Sequence, residues 1–420
     1  MKLGIIGAGS SYTPEIIEHL TAMRHSLPVR ELMLMDIHPV RLETVAGFCR
    51  RFARHLGGTF EITTTTSLPE VIQGAAFLIT QIRVGGNQQR VLDEKIPLKY
   101  GIIGQETTGP GGMFKALRTI PPMLEIAALV EQLNPGAWII NYANPTGMIT
   151  EALQRFTRTR VVGLCAGGFF PRDAVSQALG VPADQVRYDY FGLNHLNFAW
   201  NVTVGGKALS DDEFNRVAQV MTRGAVDPEL IRRLRLLPSP YLQYYFHRIR
   251  AVAHARQKRQ SRGEEVQQLE KEIFAAFNDP AQVTKPPALA LRGGGGYSEV
   301  ALGVIDALHN DRGDIFIVNT AQRGAVPFLP GEAVLELPCL VEARGITPLI
   351  QPPPPVPVWG LVAAVKNYEQ LAIEAAITGD RTLALEALLA HPLVGDYDLA
   401  VPLLDEMLTA NRDYLPQFFR

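Results

Sequence analysis

Short apolar runs, each closed by a glycine, an asparagine, an acid or another polar residue, recur through the first 165 residues. Leu3 to Ile6 is the first, and it ends on Gly7 and Gly9. Glu31-Leu-Met-Leu-Met-Asp36, Phe77-Leu-Ile-Thr-Gln-Ile-Arg83, Ala137-Trp-Ile-Ile-Asn-Tyr142 and Val161-Val-Gly-Leu-Cys165 follow it. Runs this short, bounded by turn signals, read as buried strands. The stretches between them read as helices, the first beginning near Thr13-Pro14, where proline suits an opening turn. Strand and helix alternating in this way predict an α/β fold on a doubly wound parallel sheet. Binding sites belong at the carboxyl ends of its strands.

Beyond about residue 170 the pattern changes. Tyr188 to Val204 and Asp314 to Asn319 read as strands. Arg262 to Phe277, Leu361 to Ile377, Thr382 to Ala390 and Asp398 to Asn411 read as helices. A chain of 420 residues is too long for one small core. Two packed lobes are expected, a dinucleotide-binding domain over residues 1–165 and an α+β lobe over 166–420. Gln351-Pro-Pro-Pro-Pro355 reads as a stiff extended connector. Gln257 to Glu272 is heavily charged and reads as a solvated helix face or a mobile excursion, with no function attached. No internal repeat is visible.

The first turn turns a fold expectation into a ligand expectation. Gly7 and Gly9 permit a tight turn and a close backbone approach to a pyrophosphate, whose charge the following helix N-terminus favours. The fingerprint is incomplete, because Tyr12 stands where a third glycine is usual. Asp36 ends the second run where a ribose 2′-hydroxyl partner is expected. A carboxylate there repels a 2′-phosphate, so NAD is favoured over NADP.

Composition narrows the partners. A net charge of -2 with 20% charged residues leaves no electrostatic footprint for nucleic acid or an anionic membrane. No apolar stretch reaches the length of a membrane span. The N-terminus carries no basic leader with a cleavage site. Three cysteines, Cys49, Cys165 and Cys339, are an odd and sparse set that points to a reducing cytoplasm rather than a disulfide framework.

Several segments carry groups that could do chemistry. Cys165 ends a strand and His195 lies in Gly192-Leu-Asn-His-Leu196. Each alone has a plain reading as a buried thiol or a hydrogen-bonded core histidine. Supplied by two separate strands, the pair suits a catalytic metal with open positions. Gln81-Ile-Arg-Val-Gly-Gly86 with Arg90, Gly104-Gln-Glu-Thr107, Asn144-Pro-Thr146 and Arg292-Gly-Gly-Gly-Gly-Tyr297 are rich in groups that hold polyanionic or polyhydroxyl ligands. An isolated arginine is otherwise a surface ion pair. Tyr241, in Ser239-Pro-Tyr-Leu-Gln-Tyr-Tyr245, reads either as a base or as an aromatic at a helix start. A tyrosine base needs a nearby cation or metal to stabilise its phenolate.

Taken together, these segments resemble glycoside hydrolase family 4, and within it the 6-phospho-β-glucosidases. The resemblance runs from the glycine turn to the last helix and includes Ile96-Pro-Leu-Lys-Tyr-Gly101, Ala116-Leu-Arg-Thr-Ile-Pro121, Val318-Asn-Thr320 and His391-Pro-Leu-Val394. It implies a Rossmann-like sheet of the lactate/malate dehydrogenase type with a C-terminal α+β lobe serving substrate, metal and oligomerisation. It also implies hydrolysis of phosphorylated β-glucosides through NAD-assisted oxidation at carbon-3, elimination across carbons 1 and 2, and water addition. By position, Cys165 and His195 match metal ligands, usually for manganese. Tyr241 matches the catalytic base. Gly7, Gly9, Ser10 and Asp36 match the NAD site, and Arg90 and Asn144 match holders of the phosphorylated sugar. Arg83, Glu106 and Arg292 are placed in the same pocket. A cytoplasmic homodimer or homotetramer acting on a small phosphorylated sugar is expected, with neither nucleic acid nor membrane as partner.

One position departs from the family. Ala166 follows the metal cysteine where an asparagine, aspartate or histidine is usual. An aspartate acid is thus excluded there, which argues against the α-type subgroup and leaves leaving-group protonation unassigned. A thiolate–imidazole pair also suits softer ions than manganese, so iron, cobalt or nickel are alternatives. Other family 4 specificities, a 2-hydroxy-acid dehydrogenase and a non-enzymatic NAD-binding regulator are the competing readings. The dehydrogenase needs a His–Asp relay, and His195 has no acidic neighbour in its local sequence.

Overall fold

The computed structural model describes residues 1–293 and 295–420. Gly294, within the second glycine-rich loop, lies outside them. Among the described residues, thirteen strands form two sheets. Strands β1 (Lys2–Ile6), β2 (Glu31–Met35), β3 (Glu61–Thr65), β4 (Ala75–Thr80), β5 (Trp138–Asn141) and β6 (Arg160–Gly163) pair in parallel, in the order β3-β2-β1-β4-β5-β6. That order is the doubly wound dinucleotide-binding topology. The central strands are apolar throughout because helices cover both faces, and Leu3, Ile5, Leu78, Ile79, Ile139 and Ile140 are fully buried. Strand β3 is absent from the expectation. It is an edge strand, Glu-Ile-Thr-Thr-Thr, with only Ile62 and Thr65 buried, so it gives no apolar run.

The sheet is larger than the alternation predicts. Strands β11 (Asp314–Ala321), β12 (Val334–Glu342) and β13 (Gly345–Pro348) extend it beyond β6, all antiparallel. Asn319 of β11 pairs with Gly163 of β6, and with Glu336 of β12 on its other side. The large sheet therefore draws strands from both sides of residue 165.

A second, smaller sheet holds β7 (Val186–Leu193), β8 (Leu196–Val204), β9 (Lys207–Ala208) and β10 (Leu237–Pro238). Strands β7 and β8 form a hairpin whose closing pair is Leu193 with Leu196, so Asn194 and His195 are its two turn residues. Gly192 enters that turn at φ +155°, and a Cβ there would lie 2.3 Å from the Leu196 carbonyl oxygen. Only glycine fits.

The charged segment Gln257–Glu272 is not a mobile excursion. Its greater part lies in the helix Arg262–Asn278, opened by a capping box between Ser261 and Glu264. Phe277 stacks on Phe48 of the helix Pro39–His55, with ring centroids 4.3 Å apart and planes within 13°. Arg51 donates from Nη2 to the Phe277 carbonyl at 2.7 Å. A buried aromatic pair of this kind contributes about 1 kcal/mol beyond its area. The helix-face alternative of the sequence reading holds, but that face is not wholly solvated: Glu270 accepts from Ser11 Oγ at 3.0 Å, Arg41 Nη2 at 3.1 Å and Asn87 Nδ2 at 3.1 Å. No described helix is long and apolar enough to cross a membrane.

Candidate active site

A cleft of about 1500 Å³ opens beside the carboxyl ends of β1, β2, β4 and β5. Its wall includes Gly7, Gly9, Ser10 and Asp36 together with Arg83, Arg90, Glu106, Asn144, His195, Tyr241 and Arg292. The structure thus brings together all but one of the residues singled out from the sequence. Cys165 is the exception. It is 5% exposed and lies behind the wall, with Sγ 3.7 Å from the hydroxyl of Tyr297, which does line the cleft.

The glycine turn is held by its acid. Asp36 accepts the Gly9 N–H on Oδ2 at 2.8 Å and the His38 N–H on Oδ1 at 3.0 Å. A Cβ on residue 9 would fall 2.8 Å from that Oδ2, so glycine is needed for the approach. Arg41 donates from Nε to the Gly9 carbonyl at 2.6 Å. The missing third glycine also has a structural reason. The ring of Tyr12 packs edge-on against Tyr297, centroids 6.4 Å apart, and its hydroxyl accepts the Ser298 N–H at 3.3 Å. Position 12 joins the dinucleotide lobe to the helix Tyr297–Asn310.

Four cations converge on the same cleft. Arg83 and Lys115 each reach Glu106 Oε2 at 2.8 Å, and Arg90 Nη1 stands 3.7 Å from Glu106 Oε1. Arg90 also pairs through Nε with Glu94 at 2.8 Å. Burial opposes ionisation of Glu106, but Arg90, Lys115 and Arg83 together hold its carboxyl well below the usual range. Burial, then Arg83, bring Lys115 down to about 7. Burial lowers Arg292 to about 10, and its Nε has no hydrogen-bond partner. Four cations thus face three carboxylates, Glu94, Glu106 and Glu270, the last 3.8 Å from Arg292 Nε. Such a surplus in a desolvated site is suited to a phosphate dianion.

The third group is Cys165, His195 and Tyr241. The rings of His195 and Tyr241 stack face to face, centroids 3.8 Å apart and planes within 5°. Tyr241 opens a 3-10 turn, Pro240–Leu242, capped by the Ser239 hydroxyl. His195 sits at φ +68°, a conformation hairpin turns normally reserve for glycine or asparagine. A histidine kept there implies that its side chain is wanted. Its Nδ1 is buried without a hydrogen-bond partner, and burial lowers the imidazole to about 3, so it is a neutral nitrogen donor. Burial, aided by Glu336, raises the Cys165 thiol to about 12. An orphaned neutral imidazole and a buried thiol that can ligate as thiolate are donor types that fit a divalent metal. Burial is also the chief cause holding Tyr241 above its ordinary range, followed by Cys165, Tyr244 and Glu106, against Arg90. Ala166 is 8% exposed and has no group to donate.

Some charged groups in and behind the cleft wall escaped the sequence reading. Lys115 is one charge in the apolar run Met113-Phe-Lys-Ala-Leu117, and Glu336 is one acid in the apolar strand β12. A lone charge inside a buried run was the available signal in both. Other charges prove structural. Arg118 and Asp93 form a buried two-pronged pair at 3.0 and 2.7 Å and do not line the cleft.

Comparison with known proteins gives one consistent result. The family described as family 4 glycosyl hydrolase matches residues 2–181, and the family 4 glycosyl hydrolase C-terminal domain matches residues 190–394. A probable 6-phospho-beta-glucosidase of Bacillus subtilis (strain 168) is 41% identical over 433 aligned positions, spanning 100% of this chain and 98% of the relative. The 6-phospho-beta glucosidase of Thermotoga maritima, solved with manganese, NAD+ and glucose-6-phosphate, superposes with a TM-score of 0.91 at 34% identity, covering 99% of each chain. The malate dehydrogenase of Aeropyrum pernix shares the fold alone, with a TM-score of 0.51 at 15% identity over 91% of this chain and 96% of its own.

Proposed function

The chain belongs to family 4 of the glycosyl hydrolases, and from that premise we propose that it is an NAD- and divalent-metal-dependent 6-phospho-β-glucosidase. One observation carries this reading: a single cleft joins a dinucleotide turn, a surplus of buried cations and the His195–Tyr241 stack with Cys165 behind it. It hydrolyses the glycoside by oxidation at carbon-3, elimination of the aglycone and addition of water. Bound in the cleft, NAD supplies a reversible hydride acceptor for carbon-3, and a divalent cation, manganese in the Thermotoga maritima structure, polarises the oxygens on carbons 2 and 3.

The chain's own residues then have distinct tasks. Gly7, Gly9 and Ser10 present backbone to the pyrophosphate, and Asp36 takes the ribose. Cys165 and His195 hold the metal. Arg90, Arg83 and Arg292 bind the 6-phosphate, with Glu106 fixing the arginine forks and Asn144 bonding the sugar. Tyr241 removes the carbon-2 proton, which the adjacent ketone has made acidic. With Ala166 beside the metal cysteine, the leaving oxygen takes its proton from water. A dehydrogenase relay is disfavoured, because among the described residues nothing hydrogen-bonds His195 Nδ1.

Two further expectations belong to this reading. Assembly as a homodimer or homotetramer is supported by apolar side chains exposed in the second half, Ile350 at 85% and Val356 at 73%. A cytoplasmic location is supported by three unpaired cysteines.

Substrate class is tested with a panel of chromogenic α- and β-glycosides, with and without 6-phosphate, assayed with NAD and manganese. The 6-phospho-β-glucoside is expected to be the best substrate. Equal rates on unphosphorylated glycosides would overturn the reading. In the same panel Arg90→Gln should lower kcat/KM at least about tenfold more for the phosphorylated substrate than for its plain counterpart, because a charge-assisted contact is lost only there. Equal losses on both would make Arg90 a structural partner of Glu94 and Glu106.

A further inference from the structure

We propose that Glu336 is a positioning residue that locks the two metal-ligand elements against each other and thereby sets metal affinity. The proposal rests on the reading of Cys165 and His195 as the metal pair. Those ligands come from different sheets. Cys165 lies two residues beyond Gly163, the last residue of β6, and His195 is in the turn between β7 and β8. Glu336 stands where the sheets meet. Asn319 bridges Gly163 to Glu336 across the large sheet, and the Asn319 amide donates to Glu336 Oε2 at 3.1 Å.

From the smaller sheet, Tyr190 of β7 donates its hydroxyl to Oε1 at 2.6 Å and Asn197 of β8 donates its amide to the same oxygen at 3.0 Å. Asn194, adjacent to His195, donates to Oε2 at 3.4 Å. A Cβ on Gly167 would lie 3.4 Å from Cys165 Sγ and 3.5 Å from Glu336 Oε1, so the thiol and this carboxylate flank the same residue. Glu336 is fully buried.

Each of these neighbours donates to Glu336, and a pure acceptor satisfies them all. A carboxylate provides two acceptor oxygens, whereas a glutamine turns an NH2 group toward donors on one side. That mismatch falls on the turn that holds His195 at positive φ, through its neighbour Asn194. Outer groups that orient metal ligands change affinity by about 10–100-fold when altered.

The test measures Mn2+ binding to the full chain by equilibrium dialysis and by the absorption of Co2+ as a stand-in. Circular dichroism and NAD binding serve as readouts of the fold. Glu336→Gln is expected to weaken Mn2+ binding about 10–100-fold and to shift the Co2+ spectrum, with NAD affinity and circular dichroism unchanged. Tyr190→Phe removes one bond to the carboxylate while keeping the ring, and should weaken Mn2+ about three- to tenfold. It also tests the proposal if Glu336→Gln does not fold. Cys165→Ser, measured alongside, separates the two levels of inference. If Cys165→Ser weakens Mn2+ binding while Glu336→Gln and Tyr190→Phe leave it unchanged, the positioning role is overturned and the metal pair stands. If Cys165→Ser also leaves Mn2+ binding unchanged, the metal assignment fails and the proposal fails with it.

Discussion

Tyr241→Phe is expected to lower turnover by about 10²–10⁴-fold, the range a lost general base produces, while NAD and Mn2+ bind as before. The substitution is clean. Phenylalanine preserves the ring that stacks on His195 at 3.8 Å and removes only the hydroxyl. The phenol is held above its ordinary range chiefly by burial, which favours its neutral form. Proton abstraction needs a cation to stabilise phenolate and the developing enediolate together. Exchange of the carbon-2 hydrogen with solvent should therefore vanish with the rate. A near-normal rate with carbon-2 exchange intact would place the base elsewhere. Tyr244 would be next, since it also lines the cleft with its ring 6.3 Å from that of Tyr241. Tyr245 faces His391 and is outside the wall.

The second large effect is expected from Cys165→Ser. A hydroxyl, a poor ligand, replaces the thiol proposed to bind the metal as thiolate. Losing the cation removes several kcal/mol of transition-state stabilisation, about 10³-fold in rate. Cys165 does not line the cleft and serine keeps the side chain's shape, so NAD affinity should not change. Mn2+ binding by dialysis should fall in step with activity, with only partial recovery in excess metal. Full activity and ordinary Mn2+ affinity in Cys165→Ser would remove this residue from the metal site.

The sequence carries the parallel half of the fold well, because buried strands such as β1 and β5 hold the apolar runs Leu3–Ile6 and Trp138–Ile140 with turn signals at their ends. It is less informative where burial is one-sided or polar. Strand β3 is threonine-rich and lies on an edge. Strand β12 hides its apolar character behind Glu336 and Pro338. The extension of the large sheet by β11, β12 and β13 joins residues far apart in the chain, and no local pattern encodes that pairing. The site divides in the same way. Gly9, Asp36, His195 and Tyr241 lie in motifs that are visible as short strings. Lys115, Glu336 and the docking of the helix Arg262–Asn278 by Phe277 on Phe48 depend on which faces meet in three dimensions. Tyr12 is instructive. It breaks the dinucleotide fingerprint in the string, yet it is the residue that packs the glycine turn against Tyr297.

The central claim is that each turnover oxidises the sugar and reduces it again, so that a redox cofactor serves a hydrolysis. It is tested most directly by letting the enzyme, with NAD and manganese, hydrolyse a 6-phospho-β-glucoside in deuterium oxide. Carbon-2 of the released glucose 6-phosphate is examined by NMR while the absorbance of reduced nicotinamide is followed. The account predicts deuterium at carbon-2 of the product, no net accumulation of reduced cofactor, and no activity once NAD is stripped away. Product that keeps its original hydrogen at carbon-2, formed at full rate by enzyme freed of NAD, would contradict it.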